Sequence, residues 1–171
     1  MNQPRAAKEP HSPFAGLLSA IKLRIAAHAD LRPEEAIDDA ISKLADITSM
    51  RTHDLVVQGL PVALARDATA TYEIVSRNEV LQTIGVSERT LQRGKRSDLA
   101  LDSNASDRLI RLVVVTEQAI DVFGSKDAAE RWLATAATGL DGRKPLNLLQ
   151  TSEGTKLVKS FLTRIDHGVY S

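Results

Sequence analysis

The stretch Ser76-Arg77-Asn78-Glu79-Val80-Leu81-Gln82-Thr83-Ile84-Gly85-Val86-Ser87-Glu88-Arg89-Thr90-Leu91-Gln92-Arg93-Gly94-Lys95-Arg96 decides the fold. Ser76 and Glu79 stand at the Ser-x-x-Glu spacing in which each side chain satisfies the other's free backbone amide, so a short helix is predicted to start there. Gly85 stops it, and Ser87 supplies a second N-cap ahead of Glu88. Two short helices around a glycine turn make a helix-turn-helix when apolar residues lock them together, and Leu81, Ile84, Val86 and Leu91 stand where that packing needs them. The second helix then presents Arg89, Gln92, Arg93 and, if it continues, Arg96 at i, i+3, i+4 and i+7, a single outward stripe. Arginine grips a guanine edge and glutamine an adenine edge through paired hydrogen bonds, while Ser87, Thr90 and Lys95 suit phosphates. From Arg89 to Arg96 four residues are cationic and none is acidic. Gly94 disfavours continuation, which would leave Lys95 and Arg96 as phosphate contacts beyond the helix end. A helical hairpin with an ordinary solvated basic face carries the same pattern, so both readings stand at this point.

Towards the N-terminus, Phe14, Leu17, Leu18, Ile21 and Ile25 recur with helical spacing. A second segment opens with Pro33, Glu34 and Glu35 and continues with Ile37, Ile41 and Leu44, its carboxylates matched to the positive end of a helix dipole. Residues 14–58 are therefore predicted as a helical hairpin with too little core of its own, packing on the rest of the chain or on a second copy. Residues 1–13, with Pro4, Pro10 and Pro13, read as an arm. Gly59-Leu60-Pro61 marks a boundary, after which Val62, Leu64 and Ala65 begin another helix.

Towards the C-terminus, a long helix is predicted from Asn104 or Ser106 to Phe123 on the stripe Leu109, Leu112, Val113, Thr116 and Ile120. The run Val113-Val114-Val115 alone would suit a strand, but the 3.6-residue period around it favours helix. After Gly124-Ser125, residues Ala128, Ala129, Trp132, Leu133 and Ala136 form another amphipathic segment, with Trp132, like Phe161 further on, expected in the core. Gly139 to Pro145 reads as a loop. Thr151 caps a last helix carrying Leu157, Val158, Phe161, Leu162 and Ile165. The expected fold class is all-α.

Composition narrows the chemistry. In 171 residues, 22 Lys+Arg balance 22 Asp+Glu, and each third of the chain is within one charge of neutral, so bulk coating of nucleic acid or anionic lipid is excluded. Basic character is confined to Arg89–Arg96 and to residues 143–171, where Arg143, Lys144, Lys156, Lys159 and Arg164 face only Glu153 and Asp166. The absence of cysteine removes thiolate metal sites, disulfides and cysteine nucleophiles. His11, His28, His53 and His167 have no i, i+4 pairing, so no metal site is expected. Gly139–Gly142 lacks the spacing of a phosphate loop, and no nucleophile is paired with a base; neither cofactor nor enzymatic activity is expected. No window reaches the ~18 apolar residues of a membrane span, which points to a cytoplasmic chain with no membrane partner.

The order of residues resembles the Xre/MbcA/ParS-type antitoxins, whose toxins act on NAD. The similarity runs from about Gly59 to Tyr170 and is carried by several blocks. These are Ile84-Gly85-Val86-Ser87-Glu88-Arg89-Thr90-Leu91, Asp107-Arg108-Leu109, Ala129-Glu130-Arg131-Trp132-Leu133, and Pro145-Leu146 followed by Leu149, Thr151, Gly154 and Val158. The last is the ending Arg164-Ile165-Asp166-His167-Gly168-Val169-Tyr170. The resemblance implies N-terminal helices (14–58) that support a homodimer, a helix-turn-helix region (59–124) that binds double-stranded operator DNA, and a toxin-binding region (125–171). It implies a partner toxin of the RES type, which depletes NAD, covered at its active site. Lys156, Lys159, Arg164, His167, Gly168, Val169, Tyr170 and Ser171 are the expected toxin contacts, the basic ones complementing acidic groups. A repressor without a toxin partner and a helical adaptor that binds only protein remain as alternatives.

Overall fold

Most helices of the described residues open on a side-chain cap, from Ser76, Ser87, Asp102, Ser125 and Thr151. The structure is a computed structural model that describes residues 16, 17, 19–21, 23, 50, 52–94 and 99–168. The expected arm, most of the 14–58 hairpin, Lys95, Arg96 and Val169–Ser171 lie outside the described residues. Within them, residues 52–58 are helical, and Leu17 and Ile21 are buried in the main apolar cluster. There follow α1 (Val62–Thr71), α2 (Arg77–Ile84), α3 (Glu88–Arg93), α4 (Ser103–Phe123), α5 (Lys126–Ala134), a 3-10 turn (Thr138–Leu140), α6 (Pro145–Leu148) and α7 (Ser152–Asp166). The described residues form no strand, only isolated bridges between Pro61 and Ala100 and between Ala137 and Arg143, so the chain is all-α.

Helix α4 is the spine. Its run of three valines is helical, and Leu109, Leu112, Val113, Val115 and Ala119 are fully buried because α2, α5 and α7 all pack on it. Thr116, also buried, donates to the Leu112 carbonyl at 2.8 Å and meets the Tyr72 hydroxyl at 2.5 Å. Burial and the two neighbouring carboxylates Glu130 and Glu117 hold the Tyr72 phenol above its ordinary range, and the Thr116 bond opposes them only in part.

Several expectations need correction. The cap of α4 is Asp102, whose carboxylate accepts from the Ala105 N–H at 2.8 Å, so the helix starts one residue before Asn104. Ser106 is instead inside the helix, where its hydroxyl accepts the buried Leu60 N–H at 2.9 Å. Helix α5 ends at Ala134, leaving Ala136 exposed outside it. The predicted loop Gly139–Pro145 begins within a 3-10 turn, and Pro145 opens a short helix, a first-turn position that costs proline nothing because its missing N–H has no partner there. Leu157 is 59% exposed although it sits in the apolar period of α7, and Trp132 and Phe161 are half-buried at the edge of the core.

Candidate functional site

The helix-turn-helix is assembled from the local signals that announced it. Ser76 accepts from the Glu79 N–H, and the Glu79 carboxylate returns to the Ser76 N–H at 3.2 Å. Gly85 closes α2 at φ 74°, a left-handed conformation that a Cβ would strain, and the Val86 N–H reaches back to the Leu81 carbonyl at 3.0 Å. Ser87 then caps α3 through the Thr90 N–H at 3.1 Å. Leu81, Ile84, Val86 and Leu91 are buried, as the motif requires. Beyond α3 the chain returns beside the start of α1, with the Val62 N–H donating to the Leu99 carbonyl and the Leu101 N–H to the Leu60 carbonyl.

The structure brings Arg89, Gln92 and Arg93 together on the exposed side of α3. Ser87 and Thr90 are less free: their hydroxyls meet at 2.9 Å within the cap. Sequence reasoning passed over Glu88 as a member of this surface. Its carboxylate takes a two-point ion pair from Arg77, at 2.9 and 3.1 Å, and accepts from the Gln92 amide at 3.0 Å. The Glu88 bond raises the Arg77 pKa further. The pairing matters for a polyanion, because an uncompensated carboxylate at this edge would repel phosphates. Arg77 lies eleven residues away on another helix, which no periodicity reveals.

In the C-terminal part, Lys159, Arg164 and His167 are exposed on or just after α7, and Lys156 pairs with Glu153 at 2.8 Å. Gly168 is at φ 68°, with its N–H on the Ile165 carbonyl. Polar links join this part to the helix-turn-helix region. Lys144 Nζ lies 3.1 Å from Glu79 Oε1, and the fully buried Glu130 accepts the N–H groups of Glu73, Ile74 and Val75 at 2.9, 2.6 and 3.1 Å through Oε2. Lys126 pairs with Glu73 and stands 3.5 Å from Glu130 Oε1; burial works against its charge, but the two carboxylates outweigh burial and raise its pKa. Among the described residues no cluster of His, Asp and Glu could hold a metal ion, and no helix is long and apolar enough to cross a membrane.

Residues 51–114 match the Antitoxin Xre-like helix-turn-helix domain, and residues 118–168 match the Antitoxin Xre/MbcA/ParS C-terminal toxin-binding domain. An Antitoxin Xre of Yersinia enterocolitica is 33% identical over 106 residues, covering 61% of this chain and 72% of that protein. The chain belongs to the Xre antitoxin family. An Antitoxin Xre of Photorhabdus laumondii is 30% identical over 115 residues, 67% of this chain and 77% of that protein, and one of Pseudomonas putida is 36% identical over 80 residues, 47% of this chain and 50% of that protein. In this Xre-family chain, α2 and α3 fall within the helix-turn-helix match and α5 to α7 within the toxin-binding match, so the Glu130 and Lys144 links cross from one matched domain to the other.

Proposed function

We propose that this chain is an antitoxin that covers the active site of a RES-type, NAD-depleting toxin with residues 125–171 and represses its own operon by binding operator DNA through α3. Arg89, Gln92 and Arg93 make the base or groove contacts, with Ser87, Thr90, Lys95 and Arg96 on phosphates. Lys156, Lys159, Arg164, His167, Gly168, Val169, Tyr170 and Ser171 contact the toxin. Residues 14–58 support a homodimer, which would present two recognition helices to a palindromic site. Its work is binding, without catalysis or cofactor, and its place is the cytoplasm. The observation that supports the reading is the presence, in one chain, of a helix-turn-helix match and a toxin-binding match in series.

The test is co-expression with the neighbouring reading frame. That frame alone should stop growth and empty the cellular NAD pool; with the antitoxin, NAD should stay at its uninduced level and the two products should copurify. A neighbour that is neither toxic nor retained would favour a repressor with no toxin partner. Toxicity with NAD intact would remove the RES-type assignment alone.

A further inference from the structure

The chain has 3 Phe and 1 Trp, and two of those Phe meet the Trp at the edge of the core. Ring centroids of Phe123 and Trp132 lie 5.3 Å apart, those of Trp132 and Phe161 6.3 Å apart in a stacked arrangement, and the Arg164 guanidinium stands 5.3 Å over Phe161. All three rings are only half-buried, and Leu157, one turn before Phe161 on α7, is 59% exposed. Large aromatic side chains ordinarily go to the interior, where they bury the most area. Here Leu, Val, Ile and Ala with Tyr72 fill the described interior, and these three rings form a surface row.

The row is also held in place. A Cβ at Gly139 would come within 2.4 Å of the Phe161 ring, so the glycine lets the 3-10 turn lie directly on that ring. Rigid aromatic rings beside an arginine are the composition of binding hot spots, since little side-chain freedom is lost when they are covered. All five residues fall within the stretch matched as a toxin-binding domain. Residues 143–171, which hold three of the five, carry a surplus of three cations.

We infer that Phe123, Trp132, Leu157 and Phe161, with Arg164 at the rim, are the central docking site for the toxin, and that they take an apolar surface bordered by carboxylates. This rests on the antitoxin reading and adds to it, because the contacts expected from the sequence are polar or terminal.

Trp132 is the single tryptophan, so a full-length chain labelled with 5-fluorotryptophan gives one fluorine resonance that reports on the row. Adding the unlabelled product of the neighbouring reading frame should shift that resonance. Leu157→Asp, at an exposed position where helix content and Tm should be unchanged, should weaken binding at least about tenfold, and Phe161→Ala about 30-fold. The double variant Arg89→Ala plus Arg93→Ala should bind as the wild type does. A resonance that stays put at saturation, or full-strength binding by Leu157→Asp, overturns the inference while leaving the antitoxin reading intact. A resonance that moves with the concentration of this chain alone assigns the row to a second copy and overturns the toxin as its occupant. Failure of the wild type to bind overturns the antitoxin reading and this inference with it.

Discussion

At Glu130 a fully buried carboxylate receives three backbone N–H groups on one oxygen and faces Lys126 with the other. The cost of burying a charge is offset only while all these partners stay in place, so removing the side chain strands the N–H groups of residues 73–75 and leaves Lys126 with one carboxylate fewer. Glu130→Ala should therefore lower unfolding stability by about 3–5 kcal/mol in urea titrations. Glu130→Gln, which keeps an acceptor oxygen, should lose clearly less, and equal losses would show that volume, not hydrogen bonding, is what matters there. The sequence places Glu130 beside Ala129 and Leu133 on the buried side of a helix, which marks it as unusual. Its backbone partners are more than fifty residues away, so what it holds was not legible.

The helices α2 and α3 were readable because everything that bounds them is local: a capping box, a left-handed glycine and a second serine cap within about a dozen residues. The same locality explains Thr151 and α7, whereas α4 began one residue earlier than expected because Asp102 was passed over as a cap. What the caps could not show is that Glu79 has a second partner. Its bond to Ser76 first, then the one to Lys144, holds its carboxyl below the ordinary glutamate range. A depressed folded-state pKa stabilises the fold above the unfolded pKa of about 4.3, and that contribution is lost as pH falls through the folded value. Glu79→Gln keeps an acceptor for the cap but not the ion pair. The wild type should exceed the variant by a fraction of a kcal/mol at neutral pH, as expected for a half-exposed pair. The difference should shrink to nothing as both are titrated into acid, below the folded-state pKa of Glu79. A gap that persists in acid would mean the cap, not the charge, is responsible.

The two matched domains share one apolar cluster, with α4 packed against both α2 and α7, yet the surfaces proposed for DNA and toxin are built from different helices. Shared packing argues that damage to the core removes both activities, and separate surfaces argue that exposed substitutions remove only one. Arg89→Ala plus Arg93→Ala, at exposed positions of α3, should abolish the mobility shift of operator DNA, with toxin neutralisation retained. Deleting Asp166 to Ser171, at the far end of α7, should do the reverse: neutralisation lost, operator shift and Tm kept. Loss of both activities in the arginine variant would mean that these side chains hold the fold, and full rescue of cells by the truncated chain would place the toxin contact elsewhere. The neutral total charge sharpens the expectation. With 22 positive and 22 negative residues, no general field draws the chain to DNA, so in the proposed reading operator binding depends on the few side chains in and just beyond one six-residue helix, where a basic protein would spread it over many.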